Sequence, residues 1–87
     1  MKKTIKVSEN SHTNVLAVNI AKAVREHECM EIQAVGTLAV YLAIKGIARA
    51  IKDLKKDGIV VAFTPEYVDV PIDEFGELPI KMVVEPR

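Results

Sequence analysis

The sequence predicts an α/β domain, a two-layer sandwich in which two helices lie on one face of a four-stranded sheet. Three observations predict it. Apolar residues alternate at period two in short runs near both ends of the chain. They recur at three- and four-residue spacing in two longer stretches, and the patterns follow one another in the order β-α-β-α-β-β. The chain is organised around residues 31–54: a short apolar run Glu31-Ile32-Gln33-Ala34-Val35, a single Gly36, and a long amphipathic helix. That run is too short and too apolar for an exposed edge, so it is expected at the centre of the sheet, leading through Gly36 into a helix N-terminus.

The elements follow in order. Ile5 and Val7 alternate in a first strand over residues 4–7. Ser8, Asn10, Ser11, Thr13 and Asn14 are capping types for a first helix over residues 14–27. Its inward stripe is Leu16, Ile20, Ala23, Val24 and His27, and its outward positions are Asn19, Lys22, Arg25 and Glu26. The second helix, residues 37–56, carries three stripes. Val40, Ile44, Ile47, Ile51 and Leu54 have the spacing of a helix lying on a sheet. Ala39, Ala43, Gly46 and Ala50 form a small-residue stripe, where a glycine costing about 1 kcal/mol relative to alanine implies a close neighbouring backbone, the first helix or a second subunit. Lys45, Arg49, Lys52 and Lys56 form a basic stripe along roughly three turns.

Asp57-Gly58 ends that helix. Residues 59–63 read as a buried strand, which Pro65 interrupts before the chain resumes in an extended segment over 67–72. A hairpin turn falls at Asp73-Glu74-Phe75-Gly76, and Leu78, Ile80, Met82 and Val84 alternate in a last strand.

Eighty-seven residues make one domain, 1–87, with a core small enough that association with a second copy would help it; a homodimer or larger homo-oligomer is expected. Twelve Lys plus Arg balance twelve Asp plus Glu, which argues against bulk capture of a polyanion and confines any such site to a local patch. The single Cys29 leaves no internal disulfide framework and fits a reducing compartment. Thr4, Lys6, Ser8 and Glu9 follow the Met1-Lys2-Lys3 start where a signal peptide would turn apolar, and no run approaches ~18 apolar residues. The expectation is a soluble, cytoplasmic protein without a membrane segment.

With these elements laid out, the chain resembles a known family. Glu31-Ile32-Gln33-Ala34-Val35-Gly36, Ala43-Ile44-Lys45 and above all the ending Ile80-Lys81-Met82-Val83-Val84-Glu85-Pro86-Arg87 resemble stage V sporulation protein S and its relatives, over the whole chain. The resemblance implies a non-enzymatic regulatory protein linked to sporulation, with the fold of the Alba chromatin proteins, which form dimers and bind DNA or RNA. Alba proteins place basic side chains after the first strand, at the glycine turn and along a hairpin arm. Here those places read Ser8-Glu9-Asn10-Ser11-His12, Val35-Gly36-Thr37, and an arm with Asp69, Asp73, Glu74 and Glu77, which phosphates would repel.

Nucleic acid is therefore expected on the second helix. Lys45, Arg49, Lys52 and Lys56 share one face within reach of successive phosphates, or form a solvated helix face. Gly36 and Thr37 offer helix N-terminal N–H groups to an anion, although a single glycine is a weak signal for such a site and a turn needing an unusual φ is the stronger reason for it. Asn10 and His12 are lesser contributors. Leu38, Tyr41 and Leu42 read as an oligomer interface or as packing beneath the preceding loop. His27 and Cys29 lack the paired ligands of a zinc site, and acids rather than cations flank the thiol. Glu66, Asp69, Asp73, Glu74 and Glu77 gather near the hairpin tip without a cleft to desolvate them. No catalytic residue, metal, cofactor or small-molecule substrate is expected. The alternative to nucleic-acid binding is a dimeric protein-interaction scaffold that has lost it.

Overall fold

The computed structural model describes residues 3–26, 28–68 and 79–87. Strands β1 (Lys3–Val7), β2 (Met30–Ala34), β3 (Val61–Tyr67) and β4 (Ile80–Pro86) alternate with helices α1 (Thr13–Arg25) and α2 (Thr37–Lys55) in the expected β-α-β-α-β-β order. The sheet runs β1-β2-β4-β3. β1 and β2 are parallel, as the crossover through α1 requires, and β4 is antiparallel to both of its neighbours. The run 31–35 thus lies at the centre of the sheet, as its composition predicts.

Alternation along the strands separates the two faces. Met30, Ile32 and Ala34 of β2 are buried beside Met82 and Val84 of β4, with Ile32 opposite Met82 and Met30 opposite Val84. They close one core with Leu16, Ile20 and Val24 of α1 and Ile47 and Leu54 of α2. Fully burying each of the larger side chains contributes about 1.5–3 kcal/mol. An exposed ion pair contributes about 0–1 kcal/mol, so the apolar layer between helices and sheet holds the fold. Across the opposite face runs the row Lys6, Gln33, Lys81 and Glu66. Lys81 pairs with Glu66 at 3.1 Å. The hydrogen bond and charge of Glu66, with a smaller contribution from Glu31, hold the Lys81 ammonium above the usual lysine pKa. Glu31, the buried carboxylate of this face, accepts from Gln33 Nε2 at 3.0 Å.

The arrangement differs from expectation at four places. The buried arc of α2 is Ala39, Ala43, Gly46, Ile47, Ala50 and Leu54, while Val40 and Ile51 are half-buried and Ile44 is 44% exposed. The small-residue stripe, not the large one, is central, because α2 packs against α1 as well as the sheet. A Cβ on Gly46 would stand 2.7 Å from Leu16 Cδ2, which identifies α1 as the close neighbour, approaching through a side chain instead of the expected backbone.

The second difference is in β3, which continues through Pro65 to Tyr67 instead of stopping at Phe63. The bonds Val68 N–H to Pro79 O and Arg87 N–H to Val60 O put the hydrogen-bonded pairs of β3 at its even-numbered residues. Pro65 therefore occupies a non-bonded position on an edge strand, where its missing N–H faces away from β4. Third, the start of β3 is not buried on both faces: as an edge strand it leaves Val61 and Phe63 half-buried, and Val60 just before it is 53% exposed.

Fourth, His12 is the N-cap of α1 and makes no side-chain capping bond. The serines close the preceding turn instead, Ser8 N–H donating to Ser11 Oγ at 3.0 Å and Asn10 N–H to Ser8 Oγ at 3.3 Å. The expectations for His27, for the 69–78 stretch with its acidic Asp69, Asp73, Glu74 and Glu77, and for the turn at Asp73-Glu74-Phe75-Gly76 lie outside the described residues.

Candidate nucleic-acid interface

α2 positions the four predicted cations. Because its buried arc is held by α1 and the sheet, the opposite arc is turned outward, and Lys45, Arg49, Lys52 and Lys56 are all exposed on it. From Lys45 to Lys56 the line extends ~16 Å at the rise of an α-helix. Two of its members have local partners. Arg49 Nη1 donates to Asn14 Oδ1 of α1 at 2.6 Å, and Lys45 Nζ lies 5.7 Å from the centre of the Tyr41 ring, within cation–π range. Neither contact neutralises the charge.

Asp57, the residue after Lys56, is held in an ion pair with α1. Arg25, at the end of α1, donates to its Oδ2 from Nε at 2.9 Å and from Nη2 at 2.7 Å, tying the last turns of the two helices together. The pair is half exposed on both sides, so it orients the acid more than it stabilises the fold.

The remaining predicted positions divide into two groups. His12, exposed at the start of α1, lies two residues from the Asn14 that bonds Arg49, and exposed Asn10 lies in the turn before it. Gly36 and Thr37 lie at the start of α2, ~12 Å along the helix from Lys45. Gly36 has φ 93° and ψ 154°, a backbone region essentially confined to glycine, so the turn itself demands this residue. Beside it, Lys6, Ser8, Gln33 and Val35 line an open crevice at the carboxyl ends of the two parallel strands. Leu38 and Tyr41 are 47% and 55% exposed, whereas Leu42 is half-buried and packs against the core. Cys29 is half-buried, its Sγ donating to Glu85 Oε2 at 3.6 Å. Among the described residues no three His, Cys, Asp or Glu side chains gather closely enough to hold a metal ion, and no helix is long and apolar enough to cross a membrane.

The helix stripe alone does not show how charge is distributed over the layers. α1 with its C-cap and α2 with its closing turn carry seven basic residues, Lys22, Arg25, Lys45, Arg49, Lys52, Lys55 and Lys56, against the three acids Glu26, Asp53 and Asp57. The remaining five basic and nine acidic residues of the sequence fall outside these two helical segments. A chain of zero formal charge thus has a positive helical layer. Asn14 was missed as part of this surface because helical periodicity does not say which residues of two helices adjoin.

One comparison bears on identity. The family model described as stage V sporulation protein S matches residues 3–87, from the first residue of β1 to the last residue of the chain. The match takes in both helices, the glycine turn and the C-terminal strand on which the resemblance rests, and the chain accordingly belongs to the stage V sporulation protein S family, a sporulation-associated family.

Proposed function

We propose that this protein is a non-enzymatic, cytoplasmic regulator of a sporulation-linked process and binds nucleic acid through the outward face of α2. The observation that carries this reading is the line of four exposed cations, Lys45, Arg49, Lys52 and Lys56, on a helical layer that is positive as a whole. Phosphates bind such a line by displacing condensed counterions, without any cleft or base-specific contact. Asn10, His12, Gly36 and Thr37 add contacts at either end of the layer, and a homodimer doubles the surface. Binding measured across ionic strength tests the reading. Changing Lys45, Arg49 and Lys52 together to Glu is expected to abolish binding at moderate salt. Changing them to Gln lowers the slope of log K against log salt by about two for a single-stranded probe. Unchanged retardation of DNA and RNA by the Glu variant would sink it.

A second reading, a dimeric interaction scaffold without nucleic-acid binding, draws on the exposure of Leu38, Tyr41 and Ile44 beside one another on α2. Leu42 is half-buried against the core. This reading predicts no binding of any probe at low salt, and a dimer in sedimentation velocity that Leu38→Asp splits into folded monomers.

A further inference from the structure

We infer that the ligand of this surface is single-stranded nucleic acid, with an unpaired base stacked on Tyr41; the inference rests on the nucleic-acid reading and narrows it. Four of the layer's seven cations form a single line along the crest of α2, between Lys45 and Lys56. One strand of phosphates matches one line of charges, whereas a duplex presents two strands flanking a groove. At the N-terminal end of that line the surface changes character: Tyr41 is 55% exposed and Leu38, one turn earlier, 47% exposed.

A duplex leaves such a ring idle, because its bases are already stacked on one another and shielded by the backbone. A single strand offers base faces, and an exposed aromatic beside a basic track is the platform on which they stack. Tyr41 is suited to this. Its ring is not part of the core cluster, and Lys45 Nζ lies over it, 5.7 Å from its centre, so a base that stacks on that face displaces the ammonium and leaves it to pair with a phosphate. Charge complementarity favours the same occupant over a second copy of the chain: the patch adjoins a positive layer, and two such layers brought face to face repel.

The test compares oligo(dT), oligo(rU) and a duplex of equal length by fluorescence anisotropy at several salt concentrations, with wild type, Tyr41→Ala and Tyr41→Phe, while sedimentation velocity follows the oligomeric state. Wild type is expected to bind either single strand more tightly than the duplex. Tyr41→Ala weakens single-strand binding by about five- to a hundredfold while its salt slope is unchanged, and Tyr41→Phe, which keeps the ring, retains it. Duplex binding equal to or tighter than single-strand binding overturns the inference, as does a Tyr41→Ala variant that loses both probes equally. Loss of binding only because the Ala variant changes its oligomeric state assigns Tyr41 to a subunit interface and also overturns it. These outcomes leave the nucleic-acid reading standing, which fails separately if wild type binds no probe at low salt.

Discussion

Gly36 and Gly46, ten residues apart in one strand-to-helix unit, are glycines for different reasons. Gly36 is required by its own backbone, at φ 93° and ψ 154°. Gly46 is required by its neighbour: an added Cβ would meet Leu16 Cδ2 at 2.7 Å, Cγ at 2.9 Å and Cβ at 3.2 Å, so the whole buried side chain of Leu16, not its tip alone, must retreat. Alanine is the better helix former by about 1 kcal/mol. Overpacking a filled core costs about 1–3 kcal/mol. Gly46→Ala is therefore expected to be net destabilising by about 1 kcal/mol, read as a lower urea midpoint at unchanged slope. A raised midpoint would show that Leu16 yields freely and that the close packing of α1 on α2 is not tight.

At the scale of elements, α2 has two neighbours and three faces, and its two apolar stripes compete for the interior. Periodicity identifies both and cannot rank them, because apolar residues of either size satisfy the same spacing. The ranking came from α1, whose approach at Leu16 requires small residues opposite it. The edge position of β3 likewise explains why Pro65 does not end it. The ends of the helices are joined by the Arg25–Asp57 pair, which withholds one cation from the surface and places one anion near it. Asp57→Asn frees Arg25 and removes that negative charge. It is expected to cost at most about 1 kcal/mol in stability, since both partners are half exposed. Severalfold tighter nucleic-acid binding at low salt should accompany it, measured on the same probes. Weaker binding would mean that the pair positions the end of α2 for its ligand.

Over the whole molecule, net charge conceals a layered distribution. Twelve cations and twelve anions cancel on paper, but both helices face the same way from the sheet and take an excess of the positive charge with them. The field follows the layer, not the sum. If the proposed function holds, a polyanion is steered toward the helical side. The steep loss of binding on Glu substitution at Lys45, Arg49 and Lys52 and the single-strand preference read through Tyr41 both belong to this scale, since each depends on the surface that the two helices make together.

The sequence by itself determined the element order, the central place of the 31–35 run, the special glycine at 36, the outward line Lys45, Arg49, Lys52 and Lys56, and the family. Each is a local property: spacing along one helix or strand, the need for glycine at one turn, or a stretch of sequence that resembles the family. Only the tertiary structure decided which stripe of α2 is buried, that β3 tolerates its proline, that Asn14 joins Arg49, that Arg25 pairs with Asp57, and that Leu42 turns inward while Tyr41 stays out. Those depend on what lies across from a residue in space, and that is fixed by the packing of one element on another, which no periodicity within a single element encodes.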